Sequence, residues 1–381
     1  MGRGESKEQT EMLLLLLLVL QALVMASELP RASAVETVVG TPFITASTSE
    51  FGLGIEGLAV DQQGNVYAVG FSGDGTSGIG SVANSTGEVM QKLLTKDQTG
   101  SSSFNGLRFL PASPNLPTFD LRALAADVKH NSVVLLLRSK RDHRTRGSTF
   151  CKSNDASRPM IQPNDVAVAP GSGRIYMSGG AYGKVNTVVG DGDLWMCQAK
   201  SAFTETAVDD LGELNATFLG HFGLTNGIEV SPDEKTLYLT ESFHVAAEPY
   251  SNVIWKFDIG ADGGVLNRQL FVNFTQLDDS GWIDLDGIRT DAEGSLFVTR
   301  NGMFGQADKF HPNGTHLLTI QLPTIFETTN LEFGGPEGKT LYMSGKCRDD
   351  PDRGCVEVWN STVPGRAWSE LRISSAASPP S

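Results

Sequence analysis

Six segments of the chain repeat one pattern, and this repetition constrains the fold more than any other feature. Each repeat starts with an Asn, Asp or Glu, continues as a short apolar stretch, and, in the clear copies, turns at a polar, Gly-containing segment and returns as a second apolar stretch. The starts lie 44 to 62 residues apart. The repeats begin EGLAVDQQGNVYAVG at 56, NGLRF at 105, NDVAVAPGSGRIYMSG at 164, NGIEVSPDEKTLYLTES at 226, DGIRTDAEGSLFVTRNG at 286 and NLEFGGPEGKTLYMSG at 330.

The five clear repeats have the sequence pattern of a β-hairpin, because apolar and polar residues alternate on both sides of a tight turn; the copy at 105 is the poorest, with an insertion before its second strand. No repeat shows the 3.6-residue apolar period of a helix. A single hairpin cannot bury its apolar face alone, so the six units are expected to pack radially. The sequence therefore predicts an all-β fold, one six-bladed β-propeller over residues 35–370. A pair of β-sandwiches or a β-solenoid are the alternatives, although the repeat is long for a solenoid.

The stretch GLGIEGLAVD, residues 52–61, contains the G-x-G-x-x-G spacing of a dinucleotide-binding loop. That loop needs a helix after its last glycine, where the helix N-terminus receives the pyrophosphate. Here a hairpin follows instead. The glycines are therefore interpreted as positions where the inner strand begins close to a crowded axis.

The two ends of the chain have the composition of processed or disordered segments. Residues 12–26 form a Leu-rich run that is short for a membrane span, and Ala32, Ser33 and Ala34 follow it. We predict a signal peptide over residues 1–34 and a secreted protein without stable membrane insertion. The alternative is a protein anchored by an uncleaved signal. The polar segment 371–381 is predicted to be a disordered tail.

An even, low number of cysteines favours disulfides in an oxidising compartment. Four cysteines allow three pairings. We favour Cys347 with Cys355, because KCRDDPDRGCVEV has the pattern of a loop whose two arms meet, and this leaves Cys151 with Cys197. Five N-x-S/T sequons are candidate glycosylation sites: Asn84, Asn215, Asn273, Asn313 and Asn360.

The net charge of −14 argues against a nucleic-acid partner, because phosphate binding requires a basic face. The acidic balance is compatible with a protein that gathers cations. We expect a monomer that acts on a small molecule.

The repeat-starting residues carry the candidate chemistry. In a propeller the innermost strands line a central channel, so these residues would meet near one end of it. All of them bear carboxylate or amide oxygens, which suit Ca²⁺, with Mg²⁺ or Mn²⁺ as alternatives. The alternative interpretation is that Asn-Gly and Asp-Gly only form turns, which explains Glu56 poorly. The residues are Glu56, Asn105, Asn164, Asn226, Asp286 and Asn330.

The chain resembles the gluconolactonase/regucalcin (senescence marker protein) family of six-bladed propellers, with diisopropylfluorophosphatase as a more distant relative. The resemblance covers most of residues 50–360 and rests on GIEGLAVD, QPNDVAVAP, LTNGIEVSPDEKTLYLTES, DLDGIRTDAEGSLFVTRNG and TNLEFGGPEGKTLYMSG. It implies a divalent metal, expected to be Ca²⁺ with Zn²⁺, Mn²⁺ or Mg²⁺ as alternatives. The implied ligands are Glu56, Asn226 and Asp286, and Asn164 is implied beside the metal or the substrate. Asp286 is the implied catalytic base or nucleophile.

The resemblance further implies that the substrate is a lactone or ester, with Asn164, Asn105 and Gln162 as candidate substrate contacts. Gln162 stands where animal-type sugar lactonases carry an Arg, which argues against the usual sugar lactone. Asn301 stands where some relatives have His, which argues against a His-dependent phosphotriesterase step. His244 is a possible channel residue or an ordinary strand-end His. A propeller that binds Ca²⁺ or a ligand without catalysis and a phosphotriesterase remain the alternative functions.

Overall fold

The computed structural model describes residues 35–71, 77–89, 93–96, 103–111, 118–203, 212–277 and 283–376. The predicted signal peptide, residues 1–34, lies outside them. The chain divides into two units, Met1–Glu36 and Thr37–Ser381, and the architecture below is that of the second.

Within Thr37–Ser381 the strands form six sheets, each built on antiparallel hairpins, which are the blades of a β-propeller; this confirms the predicted fold. Two strands precede the blades: β1 (Glu36–Val39) and β2 (Thr41–Ile44). Blade 1 contains β3 (Gly54–Val60), β4 (Val66–Phe71), β5 (Ser77–Ala83) and β6 (Leu93–Lys96). Blade 2 contains β7 (Phe104–Phe109), β8 (Phe119–Asp127), β9 (Ser132–Ser139) and β10 (Thr145–Lys152). Blade 3 contains β11 (Pro163–Ala169), β12 (Arg174–Gly180), β13 (Gly192–Gln198) and β15 (Thr217–Phe222), with β14 (Leu214–Asn215) before its last strand.

The second half of the ring repeats this order. Blade 4 contains β16 (Leu224–Val230), β17 (Thr236–Val245), β18 (Glu248–Ile259) and β19 (Val265–Asn273), followed by the short helix α1 (Phe274–Leu277). Blade 5 contains β20 (Ile283–Thr290), β21 (Leu296–Gly302), β22 (Gln306–Phe310) and β23 (His316–Gln321). Blade 6 contains β24 (Ile325–Gly334), β25 (Thr340–Cys347) and β26 (Gly354–Asn360), and helix α2 (Arg366–Ala376) follows it.

Strands from the N-terminal part of the chain complete the last blades. β2 pairs with β26, with Thr41 opposite Val358, and so supplies the fourth strand of blade 6. β1 adds a fifth strand to blade 5, and β14 adds a fifth strand to blade 2. Because the first and last parts of the chain share blade 6, the ring of blades is closed.

The apolar core lies between the blades. Apolar clusters among the described residues fill the space between each pair of adjacent blades. Between blades 2 and 3, for example, Leu135 and Phe150 pack with Val166 and Ile175, all at most 1% exposed. Each repeat thus buries its two faces against its neighbours, as the alternation within the hairpins requires.

Both favoured disulfides are present, which confirms the predicted pairing. Cys151 on β10 joins Cys197 on β13 and links blades 2 and 3. Cys347 and Cys355 join the facing strands β25 and β26 of blade 6. Two disulfides are typical of an extracellular or otherwise oxidising environment.

Helix α2 covers one end of the channel and extends through residue 376, into the segment that the sequence predicts as a tail; residues 377–381 lie outside the described part. The guanidinium of Arg366 is 3% exposed and donates to the carbonyl of Val168, near the end of the inner strand β11. It also pairs with Glu229 on β16. In the described part of the chain, neither helix is long and apolar enough to span a bilayer.

Candidate functional site

Five of the six repeat-starting residues lie at the channel end opposite helix α2. The inner strands β3, β7, β11, β16, β20 and β24 contact one another in a closed ring around the axis. The repeat-starting residues of β3, β7, β11, β16 and β20 lie near the beginnings of these strands, whereas Arg366 contacts β11 and β16 close to their ends. We call this opposite end of the channel the mouth.

A β-bulge marks the repeat-starting position of the first five inner strands. In blade 1 the pairing of β3 with β4 shifts between Glu56 and Ala59, and in blade 5 the pairing of β20 with β21 shifts between Leu285 and Ile288. Blades 2, 3 and 4 shift at the equivalent place. Bulges re-aim side chains and are common beside functional sites. The extra residue is therefore what allows the repeat-starting side chain to leave the regular alternation of the strand.

The glycine that follows a repeat-starting residue permits close approach between blades. A Cβ on Gly57, whose φ is +52°, would lie 2.1 Å from the carbonyl oxygen of Asn105. A Cβ on Gly227 would lie 2.2 Å from the carbonyl oxygen of Asp286. No side chain fits at either position. The Glu-Gly and Asn-Gly pairs in the repeats thus bring each repeat-starting residue against that of the next blade.

Glu56, Asp286 and Asn226 come together at the mouth. Burial raises the pKa of the Glu56 carboxyl well above its usual range, and the charges of Asp286 and Asp165 raise it further. Burial likewise raises the pKa of Asp286 to about 8, against hydrogen bonds from Asn301 and Asn226 that favour its ionised form. The structure thus brings together Glu56, Asn226 and Asp286, the three residues that the resemblance implies as metal ligands.

The remaining predicted residues are placed less directly. Asn164 is 8% exposed and immediately precedes Asp165, whose charge acts on both Glu56 and Asp286. Asn105 is half-buried, and its backbone carbonyl packs against Gly57. Gln162 is exposed, and its backbone N–H donates to Oδ1 of Asn131 at 3.1 Å. Their roles as ligand or substrate contacts therefore remain predictions.

The sixth repeat differs from the others. Asn330 is 2% exposed, and its Oδ1 accepts a hydrogen bond of 2.9 Å from the guanidinium of Arg289. The amide oxygen of Asn330 is thus hydrogen-bonded to Arg289 inside the channel.

Buried charges fill the channel below the mouth. Asp165 takes the place that glycine occupies in most repeats, and it accepts from Arg108 at 3.3 Å and from Arg289 at 3.1 Å. Arg289 also pairs with Glu332 at 3.3 Å and donates to the carbonyl of Leu58 at 2.9 Å. This network pairs the Asp165 carboxylate with two guanidinium groups and ties the inner strands of five blades together.

Two further contacts at the mouth come from positions that the repeat does not mark. The hydroxyl of Tyr182, on the loop after β12, donates to the carbonyl of Thr225. Burial raises the pKa of the Tyr182 hydroxyl well above its usual value, and the charges of Asp286 and Glu56 raise it further. His244 lies at the end of β17, and its Nε2 lies 2.9 Å from both carboxylate oxygens of Asp284. The charge of Asp284 contributes to the raised pKa of Asp286, so this pair lies close enough to the site to act on it.

The oxygen donors at the mouth fit a divalent cation. Within the described residues, no cluster of three or more His, Cys, Asp or Glu side chains is arranged to hold a metal, so the fit rests on two carboxylates and an amide. The Glu56 carboxylate has no hydrogen-bond or ion-pair partner in the described part of the chain, and its burial beside Asp286 raises the pKa of both groups. A bound cation would offset the repulsion between the two buried carboxylates. Hard oxygen donors such as these suit Ca²⁺, Mg²⁺ or Mn²⁺.

These features define a class of protein: a six-bladed propeller with carboxylates and amides gathered at one end of its channel. Residues 119–346, more than half of the chain, match the family described as the SMP-30/gluconolactonase/LRE-like region. The chain belongs to this family, which confirms the resemblance drawn from its repeats.

Individual relatives match parts of the chain. Regucalcin of Xenopus laevis is 33% identical over 145 residues, which cover 37% of this chain and 42% of regucalcin. Gluconolactonase of Zymomonas mobilis is 28% identical over 209 residues, 54% of each protein. The chain thus spans about half the length of these curated relatives. The solved structure of a luciferin-regenerating enzyme has a TM-score of 0.60 at 18% identity, covers 86% of this chain and 97% of its own, and shows the shared fold.

Proposed function

We propose that this chain is a divalent-metal-dependent hydrolase that opens lactones or cleaves related esters. The observation that carries the proposal is the convergence of Glu56, Asp286 and Asn226 at one end of the channel. Membership of the SMP-30/gluconolactonase/LRE-like family supports the same reaction class, since one of the relatives is named a gluconolactonase.

The proposed metal ligands are Glu56, Asn226 and Asp286, with Asn164 beside them, and Ca²⁺ is the expected ion. When bound, a divalent cation polarises a carbonyl and stabilises the negative charge that develops on its oxygen. The oxygen donors Asn226 and Asn164 are neutral, so the protein supplies only two negative charges to the ion.

Asp286 is the proposed base or nucleophile. Its Oδ2 accepts a hydrogen bond of 2.8 Å from Asn301, and Asn226 donates to the same carboxylate, so the group is held in one orientation. As a base, Asp286 takes a proton from water while the water oxygen bonds to the carbonyl carbon. The acyl C–O bond then breaks, the ring oxygen receives the proton, and a hydroxy acid is formed. Alternatively the carboxylate attacks the carbonyl carbon directly and water releases the product.

The proposal includes an extracellular setting. The two disulfides support an oxidising compartment, and the signal peptide over residues 1–34 is the proposed route to it. Of the proposed glycosylation sites, Asn215, Asn313 and Asn360 are exposed, whereas Asn84 and Asn273 are half-buried.

The test combines turnover with metal binding. The full chain is stripped with a chelator, and hydrolysis of a panel of γ- and δ-lactones is followed as Ca²⁺, Mn²⁺, Mg²⁺ or Zn²⁺ is added back singly. Glu56→Gln and Asp286→Asn are compared with Asp262→Asn, an exposed carboxylate in the β18–β19 turn. We expect metal-restored turnover in the wild type and in Asp262→Asn, and a loss of at least about 1000-fold in Asp286→Asn.

A thermal-shift titration separates catalysis from binding alone. A ligand at 100 times its Kd stabilises a folded protein by about 2.7 kcal/mol. The same ions should raise the melting temperature of the wild type, and this rise should be lost in Glu56→Gln. Metal-dependent stabilisation without turnover of any lactone or ester would support the non-catalytic alternative. Full turnover by Asp286→Asn would contradict the proposed base.

A further inference from the structure

Apolar side chains border one side of the channel mouth. They belong to three loops, each following the second strand of its blade: residues 181–191 after β12, the turn after β17 and the turn after β21. In an antiparallel blade the second strand ends where the inner strand begins, so all three loops lie at the mouth. Six side chains on these loops or at the strand end before them, each more than half exposed, are together called the apolar rim: Val185, Val188, Val189, Val245, Met303 and Phe304.

On or beside each of the three loops that carry the apolar rim, one residue interacts with the site. Tyr182, three positions before Val185, is 39% exposed while its hydroxyl lies near the carboxylates of Asp286 and Glu56. His244, next to Val245, pairs with Asp284. Asn301, two positions before Met303, donates to Asp286. The loops that carry the apolar rim therefore also carry, or directly follow, residues that interact with Asp286 and Asp284.

The loops that carry the apolar rim are held in place. The backbone N–H of Thr187 donates to the carbonyl of His244 at 3.0 Å, and the N–H of Ala247 donates to the carbonyl of Val185 at 2.6 Å. The side chain of Asn186 accepts from the N–H of Ala246 at 3.0 Å. Fixed loops that present valines to solvent form a contact surface, because a soluble protein rarely exposes contiguous apolar area without a ligand for it.

Three adjacent blades each contribute exposed apolar side chains to the rim. Phe304 and Met303 of blade 5 are 68% and 64% exposed, and Val188 and Val189 of blade 3 are 62% and 68% exposed. Blade 4 lies between blades 3 and 5 and contributes Val245. Apolar groups gain from burial here, whereas hydroxyl groups laid on this surface would lose hydrogen bonds to water.

We infer that the substrate is a lactone or ester with an apolar alkyl or aryl substituent, and that this substituent lies on the apolar rim while the carbonyl group enters the mouth. The inference rests on the proposed function and narrows its substrate class. It disfavours lactones whose ring carries several hydroxyl groups.

The test uses a series of γ-lactones, from γ-butyrolactone through γ-hexalactone and γ-octalactone to γ-decalactone. We expect kcat/KM of the metal-loaded full chain to rise about two- to fourfold for each added methylene, which is the range for partial to full burial. The variant Val188→Ser/Val189→Ser/Phe304→Ser should lower kcat/KM for γ-decalactone at least about tenfold more than for γ-butyrolactone. The matched control is Leu266→Ser/Leu270→Ser on the outer strand β19, where both leucines are also exposed, and it should keep the wild-type slope.

A binding series keeps this test separate from the test of hydrolysis. The corresponding γ-lactams resist hydrolysis, and calorimetry gives their Kd for the same three proteins. The inference is supported if lactam binding tightens with chain length in the wild type and the control but not in the rim variant. This holds even if no lactone is hydrolysed, because the absence of hydrolysis would reject only the proposed function. A Kd independent of chain length, or equal losses in rim and control variants, would overturn the inference. So would binding to phosphatidylcholine vesicles without any chain-length dependence.

Discussion

Asn301 donates a hydrogen bond from Nδ2 to Oδ2 of Asp286 at 2.8 Å, from the strand next to it in blade 5. In the register of β20 and β21, Asn301 lies opposite Asp284, so the bond reaches the diagonal neighbour two positions along. A neutral donor at this place orients the carboxylate and favours its ionised form without adding charge to the mouth.

Replacing Asn301 by Ala should weaken the site without unfolding the blade, because the residue is half-buried at the end of its strand. Loss of a hydrogen bond to a group that holds a metal typically costs about 10- to 100-fold in activity or metal affinity. Steady-state kinetics and Ca²⁺ calorimetry measure both. Asn154→Ala, an exposed asparagine in the loop after β10 and outside any sequon, is the matched control. Wild-type kinetics and affinity in Asn301→Ala would show that the bond has no functional role.

Arg289 is predicted to contribute strongly to the free energy of unfolding, because it pairs with buried carboxylates in the channel. It is 1% exposed and pairs with Asp165 and Glu332 at 3.1 Å and 3.3 Å. Arg289→Met leaves buried carboxylates without this partner, and breaking a buried pair from one side costs about 3–5 kcal/mol of unfolding free energy. Urea unfolding at pH 7 measures the loss.

Lys235→Met is the control for Arg289→Met, because Lys235 is 81% exposed and pairs with Asp233 at 3.9 Å on the surface. Its removal should change the unfolding free energy by about 1 kcal/mol or less. Equal losses of unfolding free energy in the two variants would mean that the buried ion pairs of Arg289 stabilise the fold no more than a surface ion pair does.

The fold could be predicted from the sequence because every repeat carries its own local signals. The apolar alternation around QQGN in the first repeat sets one hairpin, and the same signal recurs in four others, whereas the second repeat shows only its first strand, NGLRF. The positions of Glu56 and Asp286 could also be singled out, because each opens its repeat and precedes a glycine in the sequence, while their role as metal ligands stays a prediction.

Other parts of the site depend on how the blades assemble, and a local pattern does not contain them. Arg108 and Arg289 occupy equivalent inner-strand positions, yet both pair with Asp165 of a third blade. His244 and Asp284 come from different blades, and Tyr182 lies on a loop that has no counterpart in the repeat. Such contacts follow from the closed ring, which only the folded chain forms.

The two disulfides should differ in their contribution to stability. Cys151 and Cys197 are 46 residues apart, whereas Cys347 and Cys355 are 8 apart. In the chain-entropy model these loops correspond to about 4 and about 2.5 kcal/mol. Guanidinium unfolding of Cys151→Ala/Cys197→Ala and of Cys347→Ala/Cys355→Ala tests this order. All four cysteines are at most 1% exposed, so the pairs serve as matched controls for each other. A larger loss from the shorter loop would contradict the entropic account.

Asp193 should make stability depend on pH. It is 2% exposed, and burial raises its pKa to about 6, while the N–H of Ile161 donates to its Oδ2 at 2.9 Å. The native state therefore keeps a proton that the unfolded state releases above pH about 4, and the free energy of unfolding falls as pH rises from about 4 to about 6. Asp193→Asn should remove this fall and be about 3 kcal/mol more stable than the wild type at pH 7, at about 1.4 kcal/mol per pKa unit.

Asp233 provides a control of opposite sign for the pH dependence. The hydroxyl of Ser231 donates to Asp233 at 2.6 Å and lowers its pKa. A lowered native pKa adds stability above the unfolded pKa, and this stability is lost as pH falls through the native pKa. Asp233→Asn should therefore be less stable than the wild type at pH 7, with a difference that shrinks in acid, whereas Asp193→Asn gains at neutral pH. Urea unfolding from pH 3 to pH 7 distinguishes them, and parallel curves for Asp193→Asn and the wild type would show that the pKa of Asp193 is the same in the native and unfolded states.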